Sequence, residues 1–230
     1  MNAPTPPTPV APLQTLEGQT GPDPVATVIV LHGLGADGND FVPIAQQLDL
    51  RAVGHVRFVF PNAPERPVTV NGGYVMRAWY DILGADLVRR EDEAGLRQSQ
   101  AQVQALLDRE QARGIAPERT VLMGFSQGCA MTLMTGLRAP QRLAGLAGLS
   151  GYLPLADSTA AERSAANADV PIFLAHGSQD PVVVPARGLA SRDALLALGY
   201  APEWHSYPME HAVCPEEVDD LNAWLLRALA

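Results

Sequence analysis

The stretch Gly124-Phe125-Ser126-Gln127-Gly128 constrains this chain more than any other, because of what flanks it. Before it runs Thr120-Val121-Leu122-Met123, β-branched and apolar, of strand type. After it comes Cys129-Ala130-Met131-Thr132-Leu133-Met134, apolar and suited to a buried helix. A strand, a glycine-flanked serine and a helix in that order are the setting of a nucleophile elbow. The turn is sharp enough to force the serine backbone into a strained region, and glycines two residues to either side give the clearance it needs. An ordinary helix-capping serine is the bland reading, and this setting disfavours it.

Strand-like and helix-like segments alternate along the rest of the chain. Thr27 to Leu31 is a continuous apolar run, the mark of a strand covered on both faces. It empties into the glycine-rich loop His32 to Gly38, after which Asn39 or Asp40 can cap a helix reaching about Leu48. Leu13 to Glu17 reads as a short edge strand and Val56 to Phe60 as the next buried one. Further strands are expected at Val121 to Gly124, Leu146 to Leu149, Pro171 to Ala175 and Glu203 to Tyr207. Helices are expected at Glu93 to Arg113, with Leu96, Val103, Leu106 and Leu107 on one face, at Pro185 to Leu198, and from near Pro215 onward. Such alternation implies an α/β fold: one domain with a mostly parallel central sheet, helices on both faces and no large cap. Residues 1–12, crowded with Pro, Ala and Thr, read as a mobile arm ahead of a domain spanning 13–230. Glu65 to Val88 reads as a long irregular excursion and the expected wall of a substrate pocket.

A serine hydroxyl needs a base, and the base needs an orienting acid. In a strand–elbow–helix scaffold the chain order is Ser, acid, His, each at the carboxyl end of a strand. Of the five histidines, only His205 and His211 follow any suitable acid. His205 falls inside the last strand, whereas His211 follows it on a loop, so His211 is the expected base. Asp180, on the loop after the Pro171–Ala175 strand and stiffened by Pro181, is the expected acid. Asp157, Asp169 and Asp193 read as caps or solvated charges, and Glu210 as a solvent-facing carboxylate. The oxyanion needs two donors: the backbone N–H of Gln127 is one, and Leu34 in the glycine-rich loop is the other. That loop lacks the Lys-Ser/Thr of a phosphate-binding P-loop.

His32-Gly33-Leu34-Gly35, Pro61-Asn62-Ala63-Pro64, Arg77-Ala78-Trp79-Tyr80-Asp81, Gly124 to Met131, Leu149-Ser150-Gly151-Tyr152-Leu153-Pro154 and His176 to Pro185 occur in this order. From about Leu13 onward the chain thereby resembles the carboxylesterase/acyl-protein thioesterase family of α/β-hydrolases. The resemblance implies a small hydrolase of carboxylic esters or thioesters, with Ser126, Asp180 and His211 as triad and Leu34 and Gln127 as oxyanion donors. It also implies that Trp79, Tyr152 and Val182 line the acyl pocket. Two positions depart from the family pattern: Glu210 stands where many relatives carry Gly, and Cys129 where many carry a smaller residue.

Composition narrows the remaining classes. A net charge of −9 makes nucleic acid an unlikely partner. No apolar run is long enough to span a membrane, and the N-terminus lacks a signal-peptide pattern. Two cysteines are too few for a disulfide framework, so both are expected as free thiols in a cytoplasmic protein. Scattered histidines give no metal-ligand spacing, and no cofactor is expected. The expected partner is a small-molecule acyl ester or thioester; a homodimer is left open. The leading expectation is a carboxylesterase acting on short- to medium-chain esters. Acyl-protein thioesterase or lysophospholipase-type activity is the alternative, followed by peptidase or lactonase chemistry and by an inactive hydrolase-like binding protein.

Overall fold

In a computed structural model, residues 11–84 and 91–230 are described. The expectation for residues 1–12 therefore falls almost wholly outside them, as does the end of the Glu65–Val88 excursion. A seven-stranded sheet runs through the molecule in the order β1-β3-β2-β6-β7-β8-β9. Its strands are β1 (Thr15–Gln19), β2 (Ala26–Leu31), β3 (Val56–Pro61), β6 (Thr120–Phe125), β7 (Gly145–Leu149), β8 (Ile172–Gly177) and β9 (Glu203–Tyr207). Only β1 is antiparallel to its neighbour; every other pair is parallel.

Every residue of β2, β3, β7 and β8 is buried, as apolar strands covered on both faces must be. Side chains of β2 alternate between two cores, Ile29 and Leu31 on one face and Val28 and Val30 on the other. The first core is closed by α2 (Glu93–Ala112), α3 (Gln127–Arg138) and α5 (Pro185–Ala197). The second is closed by α1 (Val42–Ala45) and α6 (Pro215–Ala228). The four α2 residues expected on the buried face, Leu96, Val103, Leu106 and Leu107, all lie in the first core. Asp92 starts that helix by accepting the Gly95 N–H at 2.9 Å.

The structure corrects three local expectations. The edge strand is Thr15–Gln19, not Leu13 to Glu17, because its register is set by pairing with β3 from Thr15↔Pro61 to Gln19↔Arg57. The helix after the glycine-rich loop is a single turn, Val42–Ala45, uncapped by Asn39 or Asp40. Asp37 Oδ1 instead captures both the backbone and side-chain N–H groups of Asn39, which holds this stretch in a turn. The excursion contains a hairpin, β4 (Glu65–Val68) with β5 (Tyr74–Arg77), antiparallel from Glu65↔Arg77 to Val68↔Tyr74. Gly72 and Gly73 adopt φ of +67° and +80° in its turn, a conformation that favours glycine. A further short helix, α4 (Ala156–Glu162), has no counterpart in the sequence reading. No helix among the described residues is long and apolar enough to cross a membrane. Both cysteines are unbridged, Cys129 buried and Cys214 partly so.

Helix α6, which closes the second core beside β9, buries Glu217 completely. Neither carboxyl oxygen has a well-formed hydrogen bond among the described residues, and burial pushes the carboxyl pKa up to about 8. The folded protein thus keeps a proton that the unfolded chain sheds near the ordinary glutamate value, so this group costs stability as pH rises from about 4.5 toward 8. Glu217→Gln should remove that loss. Its advantage over the parent in urea midpoint is expected to grow between pH 5 and 8 and then level off, and a pH-independent difference would refute the assignment.

Candidate active site

Ser126 sits at φ +56° and ψ −116°, the strained backbone that an elbow between β6 and α3 demands. Two glycines permit it. A Cβ on Gly124 would fall 2.3 Å from the Gly128 carbonyl, and one on Gly128 would fall 1.9 Å from the Leu31 carbonyl of β2. Ser126 is the N-cap residue of α3, yet its hydroxyl makes no capping bond. Its backbone N–H donates to Leu149 O at 2.9 Å, which pins the elbow to β7.

Asp180 and His211 meet beside it. The His211 Nδ1–H donates to Asp180 Oδ2 at 2.7 Å, which leaves Nε2 free to act as a base. Asp180 Oδ1 accepts the backbone N–H groups of Val182 and Val183 at 2.8 and 2.9 Å, so the buried carboxylate is fully engaged. The two loops that carry this pair are stitched together. Ser178 N–H donates to Tyr207 O at 2.7 Å and Gln179 N–H to Met209 O at 3.1 Å. Gly177 lets them approach, since a Cβ there would lie 2.2 Å from Glu210 O. His176, buried beneath, donates from Nε2 to Val183 O at 2.7 Å and braces the acid loop. The Phe125 ring packs against the His211 imidazole with centroids 4.7 Å apart.

Ser126 and His211 line one cleft of about 480 Å3, together with Gly33, Leu34, Phe41, Ile44, Val182 and Val213. Leu34 and Val182 thus both border the cleft that Ser126 and His211 line. Gln127 lies just beneath, its buried side chain accepting the Trp79 N–H through Oε1 at 3.0 Å and donating through Nε2 to Tyr80 O at 2.9 Å.

Trp79 and Tyr152 are not in this cleft. Trp79 is fully buried, and its indole N–H donates to His32 O at 2.9 Å. Complete burial and that bond hold the indole away from the cleft. Tyr152 bonds Tyr80 hydroxyl to hydroxyl at 2.8 Å, and the Arg187 guanidinium lies 3.8 Å above its ring. These contacts turn it toward a separate cavity bordered by α4 and α5. No residue of 65–84 lines the cleft, so the described part of the excursion is not its wall.

The rejected candidates also have assignable places. His205 bonds Glu203 at 2.9 Å and stacks on Phe173, away from the cleft. Asp169 pairs with Arg142 and Asp193 with Arg192, while Asp157 lies in the first turn of α4. Glu210 is exposed. The sequence reading missed Phe41, Ile44, Phe125 and Val213 as cleft residues. Phe125 alone carried a signal, as the residue before the elbow serine.

A strained serine on a β6–α3 elbow, beside an aspartate–histidine pair at the carboxyl edge of a mostly parallel sheet, defines a serine hydrolase of the α/β-hydrolase superfamily. Residues 19–228 match the phospholipase/carboxylesterase family model, and the chain belongs to that family. It is 42% identical over 226 residues to acyl-protein thioesterase 1 of Mycosarcoma maydis, covering 92% of this chain and 94% of that one. Acyl-protein thioesterase 1 of Gibberella zeae is 41% identical over 213 residues, with 89% and 91% covered. The crystal structure of Zea mays acyl-protein thioesterase 2 superposes with a TM-score of 0.83 at 32% identity, over 95% of this chain and 100% of that one. The activity is thereby that of an esterase or thioesterase.

The stitched loops make a direct test. Gly177→Ala should push the His211 loop outward, and a displacement near 1 Å is expected to lower kcat by about 10²-fold. Circular dichroism should show the fold retained. Unaltered kcat would show that this close approach does not set the Asp180–His211 geometry.

Proposed function

We propose that the chain is an acyl thioesterase that hydrolyses S-acyl groups of proteins or peptides through an acyl-enzyme on Ser126. The observation that carries the acyl-enzyme chemistry is the 2.7 Å bond between His211 and Asp180 at the cleft that Ser126 lines. Thioesters rank ahead of the oxygen esters that led the sequence reading, because relatives 41% and 42% identical are acyl-protein thioesterases.

In the first half-reaction His211 Nε2 accepts the Ser126 hydroxyl proton as Oγ bonds to the thioester carbonyl carbon. Asp180 holds the imidazole in the required tautomer and stabilises the imidazolium. The N–H groups of Leu34 and Gln127 receive the oxyanion. The C–S bond then breaks, the imidazolium proton goes to the departing sulfur, and the acyl group remains on Oγ. In the second half-reaction His211 takes a proton from water, whose oxygen attacks the acyl carbon. The carboxylic acid leaves and Oγ regains its proton. A thiol has a pKa near 8.5 and is a far better leaving group than an alcohol, so the first half is easier for thioesters. Oxygen esters share both halves and are the second reading.

Leu34, Phe41, Ile44, Phe125 and Val213 give the cleft apolar walls suited to an acyl chain. Each methylene buried there contributes roughly 0.8 kcal/mol until the slot is full. We propose a reducing, cytoplasmic setting, because two cysteines are too few for a disulfide framework.

Ser126→Ala should lower kcat on an acyl thioester by at least ~10³-fold in a folded protein, and His211→Ala should add little to that loss, because the two act as a unit. An unchanged rate in Ser126→Ala would end the proposal.

On matched series of acyl thioesters and alkyl esters, kcat/KM should climb with chain length, then plateau or fall, and be higher for the thioester at each length. Flat values from acetyl to dodecanoyl would show that no defined acyl slot exists, and uniformly faster esters would restore the carboxylesterase reading.

A further inference from the structure

We propose that Trp79 is a positioning residue that holds the two oxyanion donors, the N–H groups of Leu34 and Gln127, at a fixed separation. The inference rests on the donor assignment under the proposed function and goes beyond it by naming what sets the geometry.

The two donors belong to different parts of the chain. Leu34 lies on the loop leaving β2, and Gln127 is the first residue of α3. Neither N–H meets a carbonyl among the described residues, as befits groups kept open for a ligand. An oxyanion hole works only when both donors lie at hydrogen-bond distance from one developing charge, so their separation must be held without reorganisation. Something has to tie the loop to the helix.

Trp79 is that tie. Its indole N–H donates to the carbonyl of His32 at 2.9 Å, two residues before Leu34. Its backbone N–H donates to Gln127 Oε1 at 3.0 Å, and the same amide returns a bond from Nε2 to Tyr80 O at 2.9 Å. The Gln127 side chain is thereby clamped at both ends. The Trp79 carbonyl is held from the opposite side by the Ser99 hydroxyl of α2. All three polar groups of a fully buried residue are thus engaged, two of them toward the two donor-bearing segments.

The loop end of the tie is equally rigid. His32 is buried, and burial lowers its pKa, so the ring is neutral. Its Nε2 accepts the Ala63 N–H at 3.0 Å, which places the proton on Nδ1, and Nδ1–H donates to Gly33 O at 2.7 Å. The His32 carbonyl also borders the elbow, since a Cβ on Gly128 would lie 2.8 Å from it. Phenylalanine would fill most of the Trp79 site but could not reach His32 O with a donor. A buried carbonyl left unpaired is costly enough to move the loop.

The test compares the parent with Trp79→Phe and with a form carrying benzothienylalanine at position 79, which keeps the indole shape and lacks its N–H. For each, kcat and KM on an acyl thioester are measured, with inhibition by an alkyl boronic acid, which forms a tetrahedral adduct, and by the product carboxylic acid. Both replacements should lower kcat at least about tenfold, a fraction of the 10²–10³ lost with a whole donor. Boronic acid inhibition should weaken by a similar factor, while KM and product inhibition stay within about twofold. A folded variant with kcat and boronate affinity near the parent's would overturn the proposal. So would a loss confined to KM and product binding, which would make Trp79 part of the acyl site. If Trp79→Phe fails to fold, the benzothienylalanine form decides alone. Ser126→Ala run in parallel separates the two levels: its inactivity beside a fully active Trp79 variant refutes only the tie, and its retained activity refutes the mechanism on which the tie rests.

Discussion

The contact on which the rest of the site depends is the crossing of α3 over β2, where Gly128 passes so near the Leu31 carbonyl that no side chain fits between them. That approach sets the height of the elbow above the sheet. It places Ser126 against the loop leaving β2, where a Cβ on Gly33 would lie 3.3 Å from the Ser126 Cβ. Nucleophile and glycine-rich loop are neighbours because two strands are paired, from Thr27↔Thr120 to Leu31↔Gly124, and both end at the same level. The strain at Ser126 persists because β6, β7 and α3 are all buried around it and leave no relaxed alternative.

A second set of constraints brings in the acid and the base. β8 and β9 are parallel neighbours, so their carboxyl ends open side by side. Backbone bonds from Ser178 and Gln179 then join the two loops, and Gly177 supplies the clearance. Asp180 spends one oxygen on its own loop and the other on His211, so it orders the loop and orients the imidazole with the same group. Its burial keeps water from competing for either bond. The imidazole is held on another side by Phe125, the residue adjoining the nucleophile, which couples the elbow to the base by packing.

Ester and thioester hydrolysis use the same acyl-enzyme, which is why the identity of the relatives and not the site's geometry ranks thioesters first. The cleft walls are apolar apart from Asp40, Ser126 and His211. Trp79 and Tyr152, which the family resemblance implied for the acyl pocket, lie elsewhere. Trp79 lies behind the proposed donors and Tyr152 in a hydroxyl pair facing another cavity. The walls of the proposed acyl slot instead include Phe41, Ile44 and Val213, residues on short segments that no motif marks.

By itself the sequence determined the strand order in the chain, the long helices, the elbow, and the choice of Asp180 and His211 over their competitors. These features are local: apolar runs make buried strands, glycines mark the sharp turn, and a loop residue after a strand differs visibly from one within it. Glu203–Tyr207 matched its expected bounds. The hairpin was half legible, since Gly72-Gly73 was in view but its partners, Glu65–Val68 and Tyr74–Arg77, alternate too weakly to announce strands. Only the tertiary structure decided where β1 pairs, that Asp37 cuts α1 to one turn, that Trp79 turns inward to His32, and that Phe41 and Val213 line one cleft. Each of these depends on which distant groups a side chain finds within a few ångströms, and pairing at long range leaves no periodic trace in the chain.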